Sequence, residues 1–208
     1  MLRHISGKKV CILKNKIAFF EELVKEKISE KRFEHTKRVL ITALELAEKH
    51  NVSKEKVQIA ALLHDYAKNL SSKELVDIIE KYGGIVTSLE KMEPEILHGP
   101  AAAIIAEKEL GIEDSEIIES IKYHTTGNEN LSDLAKIVYI ADAIEPLRDY
   151  PGVQEIREAA MIDLDKACLL SLNSTLDFLL RKERLIHPLS IKARNYLIMK
   201  KLRSEVIE

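Results

Sequence analysis

Ala60-Ala61-Leu62-Leu63-His64-Asp65-Tyr66-Ala67-Lys68 is the stretch whose reading decides the fold. Its apolar half reads as the end of a buried helix, and two metal-ligand side chains follow at once. Side chains at helix ends project into the space between packed helices, where bundles build metal sites. A carboxylate beside imidazole at the edge of a core is costly unless a cation pairs with it. His35 lies upstream, in Arg32-Phe33-Glu34-His35-Thr36, and His98, His124 and Asp142 lie downstream, each in or beside a helical segment. A single histidine beside an apolar face is most often a hydrogen-bonded core residue, and a single aspartate is most often a cap. The ordered set of six is a metal-site pattern. Nitrogen and oxygen donors suit zinc, manganese or iron, and such an ion activates water against a phosphate ester or anhydride.

Outward from that stretch, almost every segment reads as helix. Ile17, Phe20, Leu23, Val24 and Ile28 form a helical stripe over Lys16 to Glu30; Val39, Leu40, Ala43, Leu44 and Ala47 form another over Lys31 to His50. His50 reads as a terminal residue complementing the helix dipole. Ser53 reads as the N-cap of a third helix that runs to His64-Asp65. Ser71-Ser72-Lys73-Glu74 has capping-box spacing and opens a fourth, closed at Gly83-Gly84. Ile85 to Leu97, with Pro94, reads as a looser stretch. Gly99-Pro100 opens an alanine-rich helix that Gly111 ends, Asp114 caps the segment ending at His124, and Gly127-Asn128 breaks the chain. Ser132 caps Asp133 to Ile144, which carries Asp142. Leu164 to Glu183 and Ser190 to Glu205 are amphipathic and either complete the core or form a homodimer surface. Strand signals are scarce, so the expectation is an all-α fold, one helical bundle over 16–208 with an amino-terminal extension, 1–15, of no assigned role.

Composition agrees. The chain has 208 residues, 46% of them apolar, enough for one large core without staples. Its two cysteines, Cys11 and Cys168, form no CxxC pattern, which excludes a cysteine-based zinc site and a disulfide framework. Reduced cysteines and the lack of an export signal point to the cytoplasm. No apolar run approaches a membrane span. The net charge of −2, with no basic stripe, argues against nucleic acid as partner while leaving room for an anionic small ligand held by local cations.

The pattern resembles the HD-domain phosphohydrolases: His35, His64-Asp65 and Asp142 match the defining His…His-Asp…Asp signature, which in that family binds a divalent metal. Within the superfamily the resemblance is to the bacterial symmetrical bis(5′-nucleosyl)-tetraphosphatases, the YqeK-like branch. It is carried by Leu97-His98-Gly99-Pro100, Tyr123-His124-Thr125-Thr126-Gly127 and Ile140-Ala141-Asp142-Ala143-Ile144-Glu145-Pro146-Leu147-Arg148, and later by Pro151-Gly152-Val153 and Leu185-Ile186-His187-Pro188. It spans about Lys16 to Met199. The resemblance implies one or two divalent transition-metal ions, iron favoured over manganese, cobalt or zinc, with His98 and His124 either holding the second ion or touching substrate phosphate. It implies hydrolysis of diadenosine tetraphosphate to two ADP.

Asp65 and Lys68 are the expected catalytic residues. Arg32, Lys68, His98, His124, Thr125, Thr126, Gly127 and Arg148 are the expected substrate contacts, with Arg148 a bidentate fork and Lys68 a point charge. For Arg32 a surface role weighs equally. Gly127 and the two threonines also fit a plain helix stop. Glu145 either orients Arg148 or is solvated. Tyr66 and Tyr123 read as partly packed core, and His4 and His187 fall outside the site. Two rival readings stand: a phosphohydrolase of another nucleotide (alarmone, deoxynucleotide, cyclic dinucleotide), and a non-catalytic, metal-dependent nucleotide sensor.

Overall fold

The computed structural model describes residues 17–207, and every regular element among them is a helix. Cys11, His4 and the 1–15 extension lie outside the described residues. In chain order the helices are α1 (17–27), α2 (Glu30–Lys49), α3 (Lys54–Leu63), α4 (Ser72–Lys81), α5 (Ser88–Met92), a 3₁₀ turn (Pro94–Leu97), α6 (His98–Lys108), α7 (Ser115–Tyr123), α8 (Asp133–Ile144), α9 (Val153–Ala160), α10 (Leu164–Arg181) and α11 (Pro188–Ile207).

The caps explain the boundaries. Ser29, Ser53, Ser71, Asp114 and Ser132 each accept an orphan N–H with a side-chain oxygen, which starts α2, α3, α4, α7 and α8. The Ser71–Glu74 pair closes a full capping box. Ser29 starts α2 slightly earlier than the hydrophobic stripe suggests. One expectation changes. Ile85 to Leu97 is not loose: Thr87 and Glu90 form a second capping box and start α5, and Pro94 opens the 3₁₀ turn. Gly152, at φ +89°, starts α9, whose Val153, Ile156, Ala159 and Ala160 face inward.

α8 is the central helix. Leu134 to Ala141 are all buried, Lys136 included, and the helix packs against α2, α3, α7, α9 and α10. α3 also packs on α2 and α7, and α6 packs on α7. The amphipathic carboxy-terminal helices complete the core through Leu172, Ala193 and Leu197. Lys136 keeps its charge by bonding Asp133 (2.9 Å) and Asp165 on α10 (2.7 Å). The His50 ring donates to the Ala160 carbonyl at 2.7 Å and so pins the end of α2 to α9, a firmer role than complementing a dipole. Among the described residues no helix is long and apolar enough to cross a membrane.

Candidate metal centre

The six groups singled out in the sequence converge. His35 comes from α2, His64 and Asp65 from the turn after α3, His98 from the start of α6, His124 from the end of α7 and Asp142 from α8. The four histidines and Asp65 are buried.

Hydrogen bonding decides which nitrogen each ring offers. The Nδ1–H of His64 donates to the Ala61 carbonyl at 2.7 Å, that of His124 to the Ile121 carbonyl at 2.8 Å, and that of His98 to the Glu95 carbonyl. A carbonyl only accepts, so each Nδ1 carries the proton. His35 Nδ1 lies 3.3 Å from Glu145 Oε1. Burial works to raise the Glu145 carboxyl, but the Arg38 guanidinium, 2.7 Å from Oε2, together with the Leu147 N–H and His35 holds it below its usual range, so that group too only accepts. In the neutral form of each ring Nε2 is therefore the nitrogen that keeps the lone pair, and all four Nε2 atoms face one space.

Asp65 divides that space. Its Oδ2 lies 3.3 Å from His64 Nε2 and 3.8 Å from His35 Nε2; its Oδ1 lies 3.1 Å from His98 Nε2 and 3.8 Å from His124 Nε2. Asp142 Oδ1 completes the first side, 3.0 Å from His35 Nε2. Two overlapping donor groups result: His35, His64 and Asp142, and His64, Asp65 and His124.

Two observations ask for a cation here. His35 Nε2 and His64 Nε2 are buried without a hydrogen-bond partner. His98 Nε2 and His124 Nε2 stand 2.9 Å apart with both protons committed elsewhere. Electrostatics agree. Burial works against ionising Asp65, but the surrounding imidazoles, His64 foremost, hold its carboxyl well below the usual range. Asp142 is lowered against its own burial, chiefly by His35. Burial, then the charges of His98 and His124's other neighbour His64, push His124 down to about 3, so it is neutral and able to ligate at pH 7. His64 is raised, because Asp65 and Asp142 outweigh its burial.

The cations flank the ligands. Arg32 donates to Asp65 Oδ2 at 2.9 Å, which places it in the cleft. Arg148 donates to Asp142 Oδ1 at 2.7 Å and to the Asp142 carbonyl at 2.9 Å. Lys68 Nζ stands 3.5 Å from His98 Nδ1. Thr125 Oγ1 lies 3.2 Å from His124 Nε2 and faces the centre. Thr126 and Gly127 face elsewhere. The Thr126 hydroxyl donates to the Gly127 carbonyl, and a Cβ on Gly127, at φ +68°, would meet Ala193 at 3.2 Å. His187 pairs with Glu90 at 3.5 Å, away from the ligands. Glu145 is neither solvated nor chiefly a partner of Arg148, which stays 3.9 Å away; it serves His35. Arg38, missed in the sequence, shares a helix face with His35, three residues on.

The HD domain family matches residues 32–147, more than half of the chain. The chain belongs to the HD domain family. His35, His64, Asp65, His98, His124 and Asp142 all fall within the matched residues. This HD chain is 38% identical to a "Bis(5'-nucleosyl)-tetraphosphatase, symmetrical" of Bacillus subtilis, over 84% of this chain and 94% of that one. It is 39% identical to a protein of the same name from Staphylococcus aureus, over 85% of this chain and 91% of that one. A solved structure from Clostridium acetobutylicum, described as a "predicted HD superfamily hydrolase involved in NAD metabolism", is 40% identical and superposes with a TM-score of 0.85, covering 88% of this chain and 97% of that one.

Proposed function

We propose that the protein is a metal-dependent phosphoric anhydride hydrolase that cuts diadenosine tetraphosphate, or a close dinucleoside polyphosphate, symmetrically to two ADP. The observation that carries the chemistry is Asp65, with each carboxylate oxygen beside a different pair of imidazole nitrogens. The tetraphosphatase relatives, matched over nearly their whole length, supply the substrate.

His35, His64, Asp65 and Asp142 would hold one ion, and His98 and His124 a second with Asp65 shared between them. The all-nitrogen-and-oxygen donor set suits iron, manganese, cobalt or zinc without choosing among them; the preference for iron rests on the family resemblance. A divalent ion bound there supplies Lewis acidity, which makes water nucleophilic near neutral pH and draws charge from the phosphoryl oxygen. The chain's own residues position the reactants. Asp65 orients the attacking water. Lys68 and Arg148 neutralise the polyphosphate, Arg148 through nitrogens that rest on Asp142 in this structure. Arg32 holds Asp65 against rotation and adds charge at the cleft. The Thr125 hydroxyl donates to a phosphate oxygen, while Thr126 and Gly127 fix the turn that aims it. Water adds to one central phosphorus, the central P–O–P bond breaks, and the second ADP leaves with the bridging oxygen. Fixed charges placed before the reaction carry most of the rate enhancement. A nucleotide substrate and the buried, unbonded Cys168 thiol support a cytoplasmic location.

The test is a product analysis. Protein loaded with iron, manganese or cobalt is given a panel of nucleotides. ADP alone from diadenosine tetraphosphate supports the proposal. ATP plus AMP, preferential cleavage of an alarmone, deoxynucleotide or cyclic dinucleotide, or tight binding without product rejects it.

A further inference from the structure

We propose that the cavity between α8, the α8–α9 connection and α10 seats one nucleoside of the substrate, with Phe178 as the platform on which its base stacks. The inference rests on the tetraphosphatase reading.

The cavity measures 640 Å³, and His124, Thr125 and Asp142 form part of its wall, so it opens directly onto the metal centre. That volume suits a nucleotide-sized ligand. Only two phosphates separate the central anhydride bond from either ribose, so a nucleoside must settle close to the centre on whichever side is open. Beyond the ligands the wall turns aromatic. Tyr150 is held in place by its hydroxyl, which donates to the Ala143 carbonyl at 3.0 Å, and Pro151 lies next to it. Phe178 lies on α10, two residues past Leu176, which is buried in the core. It is 57% exposed. An aromatic so open contributes little to folding, but at the edge of a cavity it offers a stacking face that every base can use. Arg148 lines the cavity beside Asp142 and Arg181 lines it one turn beyond Asp177, so cations border the space that the phosphates would cross.

A second cavity, of 370 Å³, lies beside α6 and α7 and is walled by Ile85, Ile104 and His187 among others. None of the six metal-ligand residues lines it. It is the natural control.

The experiment compares wild type, Phe178→Ala, Phe178→Tyr and Ile85→Ala, each metal-loaded. Three quantities are read: KM and kcat for diadenosine tetraphosphate, calorimetric affinity for ADP, and competitive inhibition by inorganic tetraphosphate, which has no nucleoside. Phe178→Ala should raise both KM and the ADP dissociation constant about tenfold or more, with kcat and the inorganic tetraphosphate constant unchanged. Phe178→Tyr should restore both, and Ile85→Ala should match wild type. Unchanged KM and ADP affinity in Phe178→Ala overturn the assignment, as does a loss in Ile85→Ala instead. Equal weakening of inorganic tetraphosphate overturns it too, since the defect would then not concern the nucleoside. If wild type makes no ADP from diadenosine tetraphosphate, the tetraphosphatase reading fails on its own, and the ADP affinities still decide the place of the nucleoside.

Discussion

Glu145 sets which nitrogen of His35 is free. It lies in sequence 110 residues from His35, is buried, and is held by Arg38 so that its oxygens can only accept. Glu145→Gln introduces an amide that can donate, which loosens the choice of tautomer and leaves Arg38 short of a partner. Metal affinity should fall about tenfold to a hundredfold, read by titrating metal into stripped protein; unchanged affinity would remove Glu145 from the centre. Asp65 has a harsher part. In Asp65→Asn one carboxylate oxygen that would hold the ion becomes an amide nitrogen that cannot ligate, so turnover should drop on the order of a thousandfold or more and bound metal should fall. Full activity with full metal content would refute the role given to Asp65. The six groups that converge were legible because residue type and order survive in one dimension. Glu145 was not, since a glutamate between Ile144 and Pro146 looks like any solvated helix end, and only the crossing of α2 over α8 brings it to His35.

At the scale of the helix, α6 owes its place to Gly99. A Cβ there would stand 2.9 Å from the Lys122 carbonyl oxygen and 3.3 Å from the His124 ring. Backbone oxygen does not yield as a flexible side chain does, so only glycine lets α6 approach α7 closely enough for His98 and His124 to meet. Gly99→Ala should part the two rings and lower bound metal by up to one equivalent, by elemental analysis, while far-ultraviolet circular dichroism stays helical. Retention of full metal with normal stability would show that the pair tolerates separation. In the sequence, Gly99-Pro100 reads only as a helix opener, because close approach between helices leaves no local mark. Caps do leave one, which is why the starts of α3, α4, α7 and α8 were legible. The α5 capping box was equally present, but it sat in a short segment beside Pro94 that read as a loose stretch. Lys136 ties α8 to α10 through Asp165, whose carboxyl is lowered by Lys136 and Lys200 against its burial. Lys136→Met should cost about 1–2 kcal/mol in chemical denaturation at pH 7. The sign with pH follows from the depressed carboxyl: its stabilisation is present above the unfolded value of 3.8 and is lost as pH falls through the lower folded value. The gap between wild type and Lys136→Met should therefore close at strongly acidic pH, and a gap constant down to acid unfolding would show that the ion pair is not its source.

For the whole molecule, the proposed metal centre would act as a tie between elements. Its candidate ligands come from α2, the turn after α3, α6, α7 and α8, which surround the central core, and no one hairpin contains more than a part of them. An ion bound by all of them stabilises the folded chain over the unfolded one by mass action, because the unfolded chain does not hold the ligands together. At free metal a hundredfold above the dissociation constant the gain is about 2.7 kcal/mol, and for a chain of this length that is worth roughly 5–10 °C in melting temperature. The ligands span the core rather than one edge of it, so chelation should lower the melting temperature of the entire domain in a single calorimetric transition. It should not split off a separate early event. In Asp65→Asn the same chelator should shift the transition far less. A melting temperature unmoved by chelation, with metal loss confirmed by elemental analysis, would mean that the helices pack independently of the ion and that the six residues are gathered by the core alone.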